Sequence, residues 1–150
     1  MKRPGAWKLR LAVAAAGLWW GSLLLLGALV VPLLFQHLPT PSLAGQMAAR
    51  LFAAQTWVSV ACAMAVLLVL TRRPGDSEAH MAVGVSMAAV GGLLCALLIE
   101  FAISPRILAG ESRRFWHGLG TALFAAQGLL AWSTWWSCLR LHEQIPAQPR

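Results

Sequence analysis

The sequence predicts an all-α integral membrane protein, a bundle of four transmembrane helices with both termini in the cytoplasm. Three observations carry this prediction. Of 150 residues, 59% are hydrophobic and only 11% charged, and the mean hydropathy is +0.67, values that belong to a membrane protein. Four apolar runs are each long enough to cross a hydrocarbon core, which takes about 20 helical residues. The runs are also continuous and too long for barrel strands, and lipid offers the backbone no outside partner, so helices are the form that satisfies it.

The first run covers about residues 11–35 and follows Lys2, Arg3, Lys8 and Arg10. A secretory signal begins the same way, but its apolar region spans only about 7 to 15 residues. This run continues to Phe35, so it is expected to stay as a helix. Pro32 falls near its end, where a missing backbone donor is tolerated, and PTPSLAG is expected to break the chain before the next helix. The second, third and fourth helices are expected at about 47–71, 80–103 and 115–139. The links are short and charged, so residues 1–150 read as one membrane domain without a soluble catalytic unit.

Twelve Lys and Arg against five Asp and Glu give a net charge of +7. These charges flank the apolar runs and do not gather in one patch, which argues for membrane orientation and against nucleic acid as a partner. One side would hold Lys2, Arg3, Lys8, Arg10, Arg72, Arg73, Arg140 and Arg150, and the other Arg50, Arg106, Arg113 and Arg114. The richer side is assigned to the cytoplasm. Trp7, Trp132, Trp135 and Trp136 fall near that boundary and Trp116 near the outer one, as expected of an interfacial belt.

Small residues mark expected helix contacts. Gly17 and Gly21 form GxxxG in the first helix, and Gly84, Ala88, Gly92 and Ala96 form an i+4 ridge in the third that arrives at Glu100. Small side chains let backbones approach closely where no hydrophobic effect drives helices together. An i+4 ridge drifts about 40° per step, so only its last part shares a face with Glu100.

Glu100 is the one acid within an apolar run, LLCALLIEFAI. A charge at the centre of a membrane helix costs about 2.5 to 3.5 kcal/mol, so such residues face a partner, water or a helix interior. Sorting polar residues by depth places His37, Arg50, Glu100, Arg106 and His117 at the outer end, with Gln46, Arg113 and Arg114 nearby and Gln55 and Gln127 deeper. Arg50 is the natural partner of Glu100, since guanidinium binds carboxylate bidentately. Two readings stay open: an ion pair locking two helices, and a site for an anion, cation or proton. His37 and His117 are candidate metal or haem ligands, although they lack an HxxxH pattern or cysteine support. His80 and His142, at the opposite end, read as solvated or interfacial.

Other chemistry is not indicated. Cys62, Cys95 and Cys138 lie in apolar surroundings without CxxC spacing and read as core thiols. GLG at Gly118–Gly120 has no preceding strand, so it is no dinucleotide fingerprint. Ser104, Ser112 and Ser133 lack an adjacent base and orienting acid.

The stretch LWWGSLLLLGALVVPLLFQHLPTPSLAGQMAARLF, with EFAISPRI and FWHGLGTALFAAQ, resembles the transmembrane protein 205-like family, also called domain of unknown function 4149. The matching features are Trp19, Gly21, Ser22, Pro32, Phe35, Ala44, Gly45, Leu51, Phe52, Pro105, Arg106, His117 and Gly118, and Thr121 stands where the family often has Ser. The resemblance implies a small four-helix membrane protein without an established activity. The family is distantly similar to copper-resistance D-like proteins and to a four-helix haem-dependent protoporphyrinogen oxidase, which implies haem or copper as an alternative. The first helix here contains no His, where the haem enzyme has one.

The resulting expectation is a non-enzymatic, multi-pass bacterial inner-membrane protein that binds or passes an ion or small solute at the outer-end cluster. No cofactor is required by this reading. Homo-oligomerisation or assembly with a membrane-complex partner is expected through the small-residue faces. The alternatives are a haem- or metal-dependent oxidoreductase and a structural subunit of a membrane complex.

Overall fold

The computed structural model describes residues 6–70 and 76–143, and all regular structure among them is helical. Lys2, Arg3, Arg72, Arg73 and Arg150, which weigh in the charge asymmetry, lie outside the described residues, as do the side chains of His80 and Arg113. The chain runs through α1 (Ala6–Leu25), a π turn (Leu26–Val30) and α2 (Val31–His37), then α3 (Pro41–Leu70). It continues through α4 (Asp76–Leu98), a second π turn (Ile99–Ile103) and α5 (Ser104–Leu108), and closes with α6 (Arg113–Glu143).

Three of these helical segments are long and apolar enough to cross a membrane: Trp7–His37, Pro41–Leu70 and Ala82–Leu108. α6 is equally long but falls short of their apolarity. Its His117, Gln127, hydroxyl side chains and four tryptophans lower the mean hydropathy of the run expected at 115–139. The chain is thus an all-α integral membrane protein with three apolar spans among the described residues.

The helices outrun the apolar stretches at several ends, because the hydrogen-bond ladder continues where the side chains turn polar. α3 starts well before residue 47. Thr40 caps it, its hydroxyl accepting the Leu43 N–H at 3.3 Å and its carbonyl the Ala44 N–H at 3.1 Å. Pro41 occupies the first turn, where its fixed φ suits the helix and its missing donor costs nothing. PTPSLAG therefore begins a helix, and the break is confined to residues 38–40.

Each π turn ends two residues before a proline, Pro32 or Pro105. Within a helix a proline removes one N–H and pushes against the carbonyl four residues earlier. The helix accommodates this by widening. Val31 N–H donates to the Leu26 carbonyl and Ser104 N–H to the Ile99 carbonyl, each five residues back. The third helix, expected to stop near 103, continues through this turn to Leu108.

α1 packs against α3 and α6, and α4 packs against the same two helices. The short links make sequential neighbours antiparallel. Leu9, Ala12, Ala16, Trp19, Leu23, Ala63, Val66, Val85, Ala89 and Ala131 form the core. Leu24, Trp57, Leu68, Met87, Phe101 and Leu129 are exposed, whereas Gln55, Thr56, Ser59, Gln127 and Thr134 are buried. An apolar exterior, with a few polar side chains buried among the apolar core, suits a lipid solvent, in which polar side chains join helices. Trp132 and Trp135, expected at a membrane boundary, both pack on Trp20, at centroid distances of 4.7 and 5.4 Å.

The small residues divide. A Cβ at Gly92 would meet Trp19 Cη2 at 2.7 Å, and one at Gly17 would meet Trp135 Nε1 at 3.0 Å, so rings occupy the side-chain space at both. At Gly21 and Gly84 nothing lies within 4 Å. Ala96 is buried and Ala88 half-buried.

Candidate functional site

Two arrangements stand out, one at mid-height and one at the end that carries His37. At mid-height a chain of hydrogen bonds joins three helices. Gln127 Nε2 on α6 donates to Ser59 Oγ on α3 at 2.9 Å, and Ser59 donates to the Gln55 carbonyl at 2.9 Å. Gln55 Nε2 donates to Ser22 Oγ on α1 at 2.9 Å, and Ser22 donates to the Trp19 carbonyl at 2.9 Å. Gln55 and Ser59 stand one turn apart on the same face of α3, and Trp19 and Ser22 are related the same way on α1. The sequence already places Gln55 and Gln127 deep. The i+4 and i+3 spacings were the available signal for the two serines.

At the His37 end, Glu100 lies in the second π turn and is half-buried. Among the described residues it makes no hydrogen bond or ion pair. The π turn that holds it packs against α6 and more lightly against α3. π turns recur at functional positions because the widened ring frees backbone groups and re-aims side chains.

The other four residues of the expected cluster are exposed, and no hydrogen bond or ion pair among the described residues joins any two of the five. The Arg50 side chain makes no polar contact with any described residue, Glu100 included. The Arg106 guanidinium lies 4.4 Å from the Trp116 ring centroid, a cation–π contact. His37 Nδ1–H donates to the Leu33 carbonyl at 3.0 Å, and among the described residues Nε2 makes no hydrogen bond. His37 also borders an open apolar hollow of about 450 Å³ lined by Val30, Leu33, Leu34 and Leu38. Among the described residues the His117 ring makes no hydrogen bond, while its carbonyl accepts the Thr121 hydroxyl at 2.9 Å. Among the described residues no three His, Cys, Asp or Glu side chains gather as metal ligands would.

The sequence profile of the domain of unknown function DUF4149 matches residues 14–116, well over half of the chain. The chain belongs to the DUF4149 family. The match runs from α1 to the first turn of α6 and includes Trp19, Ser22, Gln55, Ser59, Gly92 and Glu100. No curated protein and no solved structure shows a significant match to the chain.

Proposed function

We propose that this DUF4149 protein is a non-enzymatic, multi-pass inner-membrane protein that binds or passes a small ion or solute at the His37 end, with Glu100 at the centre. In this reading the fold is a four-helix membrane bundle with α6 as its fourth span, since α6 packs against both α1 and α4. Both termini lie on the cytoplasmic side, the side richer in Lys and Arg.

The observation that carries the reading is the state of Glu100. A carboxylate within an apolar span needs a proton, a counter-ion or water, and Glu100 has no partner in its own chain among the described residues. Arg50, Arg106, His37 and His117 stand around the rim at the same end, where they attract and select the ligand without a fixed contact.

Infrared difference spectra of the purified protein test this, with Glu100→Gln as reference and protons, sodium ion and phosphate as probes. The carboxyl band of Glu100 is expected to respond to at least one probe, and Arg50→Ala or His117→Ala to alter the response. A folded protein whose band ignores all three probes would leave Glu100 a structural group and end the proposal. A Soret band in the visible spectrum would replace it with haem chemistry at His117 or His37.

A further inference from the structure

The two halves of the chain repeat one another. Residues 51–55 and 123–127 both read LFAAQ, 72 positions apart, on α3 and α6. Pro32 and Pro105, 73 positions apart, each follow a π turn that ends two residues earlier. Burial keeps the same spacings. On α1 the buried residues from Leu9 to Leu23 each have a buried counterpart 73 positions on in α4, from Ala82 to Ala96. On α6 the buried residues Gln127, Ala131, Thr134 and Cys138 each have a buried counterpart 72 positions back in α3. An inner and an outer face are the rule for any packed helix. Packing does not require one spacing to serve all four long helices to within a residue, together with an identical pentapeptide and a π turn in the same place.

The halves also pack as two copies would. α1 meets α3 and α4 meets α6 within the halves, while α1 meets α6 and α3 meets α4 between them. Alternating directions make α1 and α4 parallel, so the operation relating the halves is a two-fold rotation about an axis along the helices. Two pairs of counterparts touch each other, which is possible only beside that axis. The Phe52 and Phe124 ring centroids lie 5.1 Å apart, and the Trp19 ring fills the side-chain space of Gly92. Gln55 and Gln127 each donate Nε2 to a serine of another helix. Their acceptors differ because the counterpart of Ser22 is Cys95, whose sulfur is a weak acceptor, and Gln127 bonds Ser59 instead.

We infer that residues 6–70 and 79–143 are two copies of one two-helix unit, and that the face on which they meet is a self-association surface whose partner is a second copy of the unit. A two-fold contact of this kind presents the same patch from both sides. Joined in one chain, the copies are free to differ. Trp19 and Leu23 on α1 have the small counterparts Gly92 and Ala96 on α4, and all four are buried. The proposed ligand site does not repeat either. Glu100 stands where the first half has Gly27, and Arg106 where it has Leu33. A Cβ at Gly27 would meet Phe124 Cε1 at 2.8 Å, so the first half has no room for the side chain that the second half carries. The repeat is a property of the scaffold, and it stands or falls independently of any ligand at Glu100.

Residue exchange across the axis, made in the full chain, is the test. In a two-fold arrangement the ring at the axis can come from α4 as well as from α1. Without the Trp19 ring, a Cβ at Gly92 keeps only ordinary contact, at 3.5 Å from Leu130 Cβ. Trp19→Gly and Gly92→Trp are each expected to lower the unfolding temperature in detergent or to prevent folding, and the double variant to recover most of the loss. Leu23→Ala with Ala96→Leu is a milder exchange of buried counterparts, with the same recovery expected. Leu23→Ala with Ala89→Leu is its control, equal in composition but not an exchange of counterparts, and no recovery is expected there. Should the Trp19 exchange not fold, the leucine exchange decides alone. A leucine exchange no more stable than its control overturns the inference.

Discussion

Trp19 rests on Gly92: a Cβ on that glycine would approach Cη2 at 2.7 Å and Cζ2 at 2.9 Å. The interior at mid-height is thereby closed by one ring from α1 lying where α4 has no side chain. Gly92→Ala is therefore expected to destabilise the protein by about 1 to 3 kcal/mol, the usual range for overpacking a filled core. Gly84→Ala supplies the control. That position is open, and the helix gains about 0.8 to 1 kcal/mol when Ala replaces Gly. Thermal unfolding in detergent separates the two. Equal behaviour of the variants would mean that the indole does not occupy this space.

The Gln127–Ser59 bond is expected to couple α6 to α3 by about 0.6 kcal/mol, with about 1.7 kcal/mol as the upper end for polar contacts between membrane helices. A double-mutant cycle of Gln127→Leu and Ser59→Ala measures it. The Ser59 hydroxyl keeps its bond to the Gln55 carbonyl in the single Gln127→Leu variant, so the cycle isolates the interhelical bond. A coupling of zero would show that these side chains do not join the helices.

The sequence made the helices legible because lipid leaves the backbone no alternative to a helix over a long apolar run. Their ends were less legible. Hydropathy marks the hydrocarbon, whereas Thr40 and Pro41 start the hydrogen-bond ladder of α3 outside it. The two glutamines that the sequence sets deeper along their helices, Gln55 and Gln127, are both buried. Rotation about the helix axis was not legible. Depth alone puts Arg50, Arg106 and His117 at the level of Glu100, and it says nothing of their rotation: all three are exposed, while Glu100 is half-buried. The π turns compound this, because each shifts the phase of the helix beyond it at a point where the sequence offers only a proline. Gly17 and Gly21 illustrate the same loss of phase: one lies under Trp135 while the other meets nothing within 4 Å.

Pro105 is expected to hold the π turn that contains Glu100. A π turn carries one extra residue, so closing it to an α-helix rotates one flank against the other by about 100°, the angle per residue at 3.6 residues per turn. Pro105→Ala restores the missing N–H and removes the ring from the carbonyl four residues back. The prediction is that Pro105→Ala leaves the protein folded but changes the accessibility of position 100 several-fold. Glu100→Cys, in a background lacking Cys62, Cys95 and Cys138, reports this through its labelling rate with a water-soluble maleimide. Identical rates with and without Pro105 would show that something other than the proline sets the turn.

Gly21 and Gly84 lie open in a single chain, and in lipid such positions are where the backbone of another helix comes close. If the proposed site is completed by assembly, these two glycines are the places for a second copy to approach. Gly21→Leu and Gly84→Leu should fold normally, since a Cβ at either position meets nothing within 4 Å among the described residues, and should reduce the crosslinked dimer in native membranes several-fold. Helical content and unfolding temperature measured on the same samples separate lost association from lost folding. A dimer fraction untouched by both variants would place the contact elsewhere. A parent protein that crosslinks only as monomer would remove assembly altogether and return the whole ligand site to one chain, with Glu100 facing lipid or solvent on its own.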